Sequence, residues 1–315
     1  MTKIEKRYIE IGFRPDGSPI RIPFIKIGSG DKKLFIAAVV HGDEVTGLVS
    51  IWKLLEYIDK ISIHGEIGIV PVINIEGFNY CVRGIPLATI DLNRLYPGDP
   101  KGSLAERITA TIWKLAKGYE FIVDMHTAGL SIPFILIDPA PPELRKKIID
   151  VAVKTGITVL DEYAPEKYEL KKLAASLPGV AIKENIPSFT VELPGVIGPD
   201  EKGISVGFKV LKNIMIALGL IEDSYEEVNE YPVIRELGYR REDVTALHGG
   251  FIEYNVSLGE KVKENTRIAI IRNVFGEIVE EVKAPKECYI VALHDSRRIW
   301  SGSTAALIAV KYTPR

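Results

Sequence analysis

Two short apolar runs in this chain end in histidine and carboxylate. Leu34-Phe35-Ile36-Ala37-Ala38-Val39-Val40 leads into His41-Gly42-Asp43-Glu44, and Phe121-Ile122-Val123 leads into Asp124-Met125-His126. Runs of this length and composition predict buried strands. In an open α/β sheet, ligand sites gather at the carboxyl ends of such strands. Two strands distant in sequence are therefore expected to deliver polar side chains to one sheet edge.

The surrounding pattern supports such a sheet. Glu44 to Lys60 carries Leu48, Ile51, Trp52, Leu55 and Ile58 at a helical period. A strand is predicted over 67–73. Ser103-Leu104-Ala105-Glu106 is a capping-box pattern opening a helix through Ile108, Ile112 and Leu115. Further strands are predicted at 121–124, 132–137 and 188–193. Pro141-Pro142-Glu143 opens a helix through Val153 with Gly156 as its stop, and 205–218 is the last clear helix. The alternation predicts an α/β unit over residues 1–222, a mixed central sheet flanked by helices.

The texture then changes. Residues 221–230 are acidic and read as a linker. Short strand candidates follow at 250–254, 267–271, 277–282, 288–293 and 305–310, separated by turns and without helical periods. Residues 231–315 are expected to form a small all-β barrel or sandwich.

A formal net charge of -2 and the lack of a basic stripe argue against a nucleic-acid partner. The first residues are charged, with no signal-peptide apolar core, and no apolar stretch is long enough for a bilayer. A soluble cytoplasmic protein with no membrane partner is expected; its oligomeric state stays open, a homo-oligomer included. Cys81 and Cys288 stand far apart and form neither a metal pair nor a disulfide framework. Glutamine is absent while isoleucine, lysine and glutamate are plentiful, which suggests adaptation to high temperature.

The chemistry rests on a few residues. His41 and Glu44, three apart at a strand-to-helix junction where Gly42 allows a sharp turn, can converge on one ion. With remote His126 they supply three of the four ligands of a catalytic zinc, leaving one position for water or substrate; cobalt, manganese and iron suit the same donors. Asp124, two before His126 on a strand, shares its face and can support the imidazole of a ligand; a plain structural carboxylate is the alternative. His64, His248 and His294 read as surface or turn residues. Glu192 near the end of an apolar strand needs a partner, and beside an activated water it can serve as general base. Asn93 and Arg94 can clamp a carboxylate. Arg83 can face an oxyanion or be a surface residue.

These motifs together resemble the succinylglutamate desuccinylase/aspartoacylase branch of the zinc carboxypeptidase-like, M14-type hydrolases. The matches are His41-Gly42-Asp43-Glu44, Asp91-Leu92-Asn93-Arg94, Asp124-Met125-His126 and Thr190-Val191-Glu192, in the family's order, over roughly residues 1–220. The resemblance implies one zinc per chain on His41, Glu44 and His126, Glu192 as general base, Asn93 and Arg94 on the substrate carboxylate, and Arg83 polarising the scissile carbonyl. It implies hydrolysis of the amide of an N-acyl amino acid or related small carboxylate-bearing amide. A metallocarboxypeptidase acting on peptides and a non-catalytic binding module are the rival readings. Two positions depart from the family: Asp43 stands where Asn is common, and Ile182 with Lys183 stands where aspartoacylases carry an arginine that reads an acidic substrate side chain. The C-terminal strands resemble the biotinyl/lipoyl-like barrel-sandwich of related deacylases. Their expected hairpin tip, Asn273-Val274-Phe275-Gly276-Glu277, has no lysine to modify, so a non-carrier unit shaping the active-site mouth is expected.

Overall fold

The computed structural model describes residues 3–86, 90–195, 198 and 200–313, so the extreme ends of the two expected units lie outside it. In chain order the strands are β1 (Ile4–Phe13), β2 (Pro19–Gly28), β3 (Lys33–Ala38), β4 (Glu66–Val70), β5 (Phe121–Thr127), β6 (Leu130–Ser131), β7 (Phe134–Ile137), β8 (Thr158–Asp161) and β9 (Ser188–Leu193). They continue as β10 (Tyr239–Thr245), β11 (Gly250–Tyr254), β12 (Lys261–Val262), β13 (Arg267–Arg272), β14 (Ile278–Lys283), β15 (Cys288–Leu293), β16 (Arg298–Ile299) and β17 (Thr304–Lys311). The helices are α1 (Thr46–Ile58), α2 (Ile75–Tyr80), α3 (Leu104–Ala116), α4 (Pro142–Ala152), α5 (Pro165–Leu170), α6 (Leu177–Lys183) and α7 (Glu201–Ala217).

Among the described residues, a 13-stranded mixed sheet runs β1-β2-β4-β3-β5-β9-β7-β8-β10-β17-β15-β12, with β6 paired to β15. A second sheet orders β14-β13-β11-β16. β4, β3, β5 and β9 are mutually parallel neighbours. Alternate residues of these strands face two cores. Ile36, Val123 and Phe189 pack with Ile51 of α1 and Ile214 of α7, while Phe35 and Ile122 pack with Ile108 and Ile112 of α3. Cover on both faces is why these strands read as unbroken apolar runs.

The local signals operate as read, with shifted boundaries. Ser103 and Glu106 form the reciprocal capping box of α3, and Gly156 ends the helical turn after α4 in a left-handed conformation (φ 85°). α1 begins at Thr46, so Glu44 lies in the turn before the helix, and Trp52 is 53% exposed. α7 begins four residues before the apolar period, because Asp200 caps it by accepting from the Gly203 N–H. The hairpin β1–β2, α2, β8 and β10 have weak or no sequence signals. β1 is mostly solvent-facing, and β10 reads Tyr-Arg-Arg-Glu-Asp-Val-Thr, too charged to look like an interior strand.

Residues 221–230 carry no regular structure, as expected, but they are tied down. Lys209 pairs with Glu230 at 2.6 Å, and Lys212 with Asp223 at 2.9 Å and Glu226 at 2.6 Å, while Val228 is buried. The predicted C-terminal strands form the second, antiparallel sheet and also lengthen the first. β10 joins β8 in parallel at Arg240↔Asp161, and Phe134, Leu136 and Leu160 pack with Val291 and Ala309. No helix among the described residues is long and apolar enough to cross a membrane.

Candidate active site

Parallel pairing sets the carboxyl ends of β3, β5 and β9 side by side, with Ala38 opposite Met125 and His126 opposite Glu192. The chain leaving β3 bends at Val39, whose φ of 55° is a left-handed value that a β-branched residue adopts only under constraint. The sharp turn thus sits at Val39 and not at Gly42, where the sequence places it. Gly42 is needed for another reason: a Cβ there would lie 2.0 Å from the backbone carbon of Gly77. The start of α2 fills that space. Asn74, fully buried, caps α2 by accepting from the Gly77 N–H. It also donates Nδ2 to the carbonyl of Arg83, which accepts the Gly42 N–H as well. The loop bearing Arg83 is thereby pinned to the turn bearing His41.

Glu44 is the centre of the cluster. Its Oε1 lies 2.7 Å from His41 Nδ1 and its Oε2 lies 2.9 Å from His126 Nδ1. The Thr127 N–H donates to Oε2 at 3.1 Å, and Arg83 donates to Oε1 at 2.9 Å. The other nitrogen of each ring faces an aspartate: His41 Nε2 lies 3.1 Å from Asp91 and His126 Nε2 lies 3.0 Å from Asp124. The ligand atoms of His41, Glu44 and His126 all fall within 4.8 Å of one another. Aspartates behind both rings are the support that metal-bound imidazoles receive, orienting Nδ1 inward.

The electrostatics agree. Burial alone pulls both imidazoles down, but Asp124 and Glu44 hold His126 well above 6.5, and Glu44 and Asp91 raise His41. Burial pushes Glu44 up, yet the two histidines bring it well below the usual carboxylate range. Three carboxylates around two imidazoles, with Arg83 as the one cation paired to them among the described residues at 3.5 Å or less, favour further positive charge at the centre. Two imidazole nitrogens and a carboxylate suit zinc and other divalent metals, so the residues fit the group the sequence implies.

Asp91 caps the short 3-10 helix Leu92–Arg94 through the Asn93 N–H. The Asn93 side chain accepts from the Leu177 N–H and donates to Asp124 at 3.3 Å, so it is braced from both sides. Arg94 donates to the Asn93 carbonyl and stands 4.0 Å from Asp91. Glu192 makes no hydrogen bond or ion pair among the described residues. Burial, with Glu44, raises its carboxyl against the pull of His126, Arg241 and His41.

A cavity of about 240 Å³ collects all of these except the two aspartates behind the rings: His41, Glu44, Arg83, Asn93, Arg94, His126 and Glu192 line it. Asp138, Glu162, Thr190 and Arg241 line it too, together with Ala292 and Leu307 from the C-terminal strands. Sequence reasoning left Asp91 without a role and passed over Asp138, Glu162 and Arg241. Asp138 follows an apolar run, the signal that picked out Asp124. Arg241 sits in a strand with no apolar signal. His64 and His248 are exposed, and His294 lies in the outer mouth with Asp43. Ile182 is buried in the core and Lys183 is exposed; neither lines the cavity.

The model of the succinylglutamate desuccinylase/aspartoacylase catalytic domain matches residues 30–218. The chain is 26% identical over 300 residues to the N-alpha-acetyl-L-2,4-diaminobutyric acid deacetylase of Halomonas elongata, covering 92% of this chain and 85% of that protein. The product-bound ectoine utilization protein EutE (DoeB) of Ruegeria pomeroyi has the same fold, with a TM-score of 0.85 at 20% identity over 98% of this chain and 95% of that one. A metallo-carboxypeptidase from Burkholderia cenocepacia aligns at a TM-score of 0.53 and 16% identity, over 68% of this chain and 65% of that one.

Proposed function

This chain belongs to the succinylglutamate desuccinylase/aspartoacylase catalytic-domain family, and on that premise we propose that it is a zinc-dependent deacylase. Its reaction is hydrolysis of the amide bond of an N-acyl amino acid or a related small carboxylate-bearing amide. The observation that carries this reading is the convergence of His41, Glu44 and His126 in a cavity that also holds Glu192, a carboxylate unpaired among the described residues. The Halomonas relative, by its name, deacetylates an N-acetyl amino acid.

The Nδ1 atoms of His41 and His126, with Glu44, would hold the ion, and Asp91 and Asp124 would keep each Nε2 protonated. A zinc ion there would supply the charge that brings the pKa of a water towards roughly 7 and polarises the acyl carbonyl. Glu192 accepts the proton of the attacking water and returns it to the departing nitrogen. A carbon–oxygen bond forms, the carbon–nitrogen bond breaks, and a carboxylate and an amine leave. Arg83 offers its guanidinium to the oxyanion. Arg94, beside Asn93, holds the substrate carboxylate.

The peptidase reading shares this chemistry but needs a wider mouth. Ala292 and Leu307 close one side of the cavity, which favours a small substrate. We also propose that residues 231–315 act as an accessory, non-carrier unit shaping the cavity; the tip residue Phe275 is 84% exposed and no lysine accompanies it. A cytoplasmic location goes with this metabolic reading.

The test is a kinetic comparison of wild type with Glu192→Gln on N-acyl amino acids and on peptides, with metal content measured on both proteins. Loss of turnover with metal retained supports the proposal. Full activity in metal-replete Glu192→Gln would remove Glu192 as the base, and faster cleavage of peptides would favour the carboxypeptidase reading.

A further inference from the structure

A second group of charged residues lines the same cavity. Phe134 and Leu136 of β7, and Asp138 just past its end, line the cavity, with Phe134 opposite Glu192 and Leu136 opposite Thr190 of β9. Ile137 pairs with Asp161 and Asp161 with Arg240, so Glu162 stands beside Asp138 and Arg241 beside Glu162. Arg241 spends Nε and Nη2 on Glu162, both at 2.7 Å, and lies over the Tyr163 ring at 4.2 Å. That pair is neutral as a unit. Asp138 is the acid left over. It is 2% exposed, its Oδ1 accepts from the Tyr168 hydroxyl at 2.6 Å, and its Oδ2 has no hydrogen-bond partner among the described residues. No lysine, arginine or histidine among them forms an ion pair with it.

Resting on the deacylase reading, we infer that Asp138 is the specificity residue for the amino-acid half of the substrate, and that it receives a positively charged side chain. A buried carboxylate without a cation is costly, and a substrate ammonium would supply the missing charge. Burial, with Glu162 beside it, pushes the Asp138 carboxyl up to about 7. The cavity lining then offers both signs of charge, the guanidiniums of Arg83 and Arg94 and the unmatched acid Asp138. An N-acyl diamino acid matches both charges through its carboxylate and its side-chain amine. An N-acyl dicarboxylic amino acid would set its second carboxylate against Asp138.

The experiment measures kcat/KM of the metal-replete enzyme on three N-acetyl amino acids of similar length: 2,4-diaminobutyrate, 2-aminobutyrate and aspartate. Wild type should prefer the cationic substrate over the neutral one by about tenfold or more, mainly through KM. Asp138→Asn should shrink that ratio by about tenfold, and Asp138→Glu should restore part of it. An unchanged ratio in Asp138→Asn would overturn the inference. Preference of the wild type for the aspartate derivative would overturn it as well and would assign recognition to Arg241. If none of the three is turned over, the deacylase reading fails for acetyl substrates by itself. Calorimetric titration with free 2,4-diaminobutyrate against free aspartate then decides the inference: selective binding of the diamine, lost in Asp138→Asn, upholds it, and equal or absent binding refutes it.

Discussion

Each of the two imidazoles is held at both ends, by Glu44 on Nδ1 and by an aspartate on Nε2. In the proposed metal site Asp91 and Asp124 stand behind the rings and would set which nitrogen faces the ion. Asp91→Asn and Asp124→Asn should each weaken metal affinity by about 10–100-fold in a metal-buffered titration. Affinity unchanged in both variants would show that the rings are oriented by packing alone. Asp138 makes a separate prediction about pH. Its folded carboxyl is raised to about 7 from 3.8, so the folded protein holds a proton that the unfolded chain releases. Stability is therefore lost as pH rises from about 4 to about 7 and stays low above that. Asp138→Asn removes the penalty. Its unfolding free energy by chemical denaturation should exceed that of wild type at pH 8 by on the order of 1 kcal/mol or more, a margin shrinking towards zero near pH 4. A margin independent of pH would contradict this account.

At the scale of elements, the site depends on close approach between the turn after β3 and the start of α2. Gly42 and Gly77 touch there through backbone, and neither tolerates a Cβ without displacing its neighbour. Gly42→Ala should move α2 and the Arg83 loop, costing roughly 1–3 kcal/mol of stability by overpacking. Chemical denaturation should read that loss, and kcat should fall with it because Arg83 loses its placement. An alanine variant with wild-type stability and kcat would show that the two turns can separate freely. The same scale explains β10, an interior strand of mostly charged residues. Arg241 is matched by Glu162, and Asp243 by Lys167 at 3.0 Å and the Tyr163 hydroxyl at 2.7 Å. Arg241→Met would leave Glu162 buried without its cation, and a loss of roughly 3–5 kcal/mol is expected.

The whole molecule is stitched across the boundary that the sequence suggests near residue 230. β10, β17, β15 and β12 extend the sheet begun by the α/β part, and β6 reaches across to pair with β15. A chain ending at residue 230 would bare β8 as an open edge and expose Phe134, Leu136 and Leu160. It is expected to aggregate or melt without cooperativity, as judged by size-exclusion chromatography and circular dichroism. A monomeric, cooperatively folding fragment would instead establish the α/β part as an independent unit.

Sequence by itself determined the strands that hold the candidate ion site, because a strand covered on both faces must be apolar and its polar ends then stand out. His41, Glu44, Asp124, His126 and Glu192 were legible for that reason. The capping box at Ser103 and Glu106 and the stop at Gly156 were legible because their hydrogen bonds and dihedral angles are local. Only the tertiary structure decided the rest. That His41 leans on Asp91, that Gly42 yields space to Gly77, and that Arg241 enters the cavity from the C-terminal strands are contacts between segments far apart in the chain. No local pattern encodes them. The charge on β10 concealed an interior strand, since its burial is compensated by partners just after β8 and on α5 that no window of sequence includes. The far wall of the cavity, with Asp138 as its unmatched charge, exists only once β7, β8, β9 and β10 lie side by side.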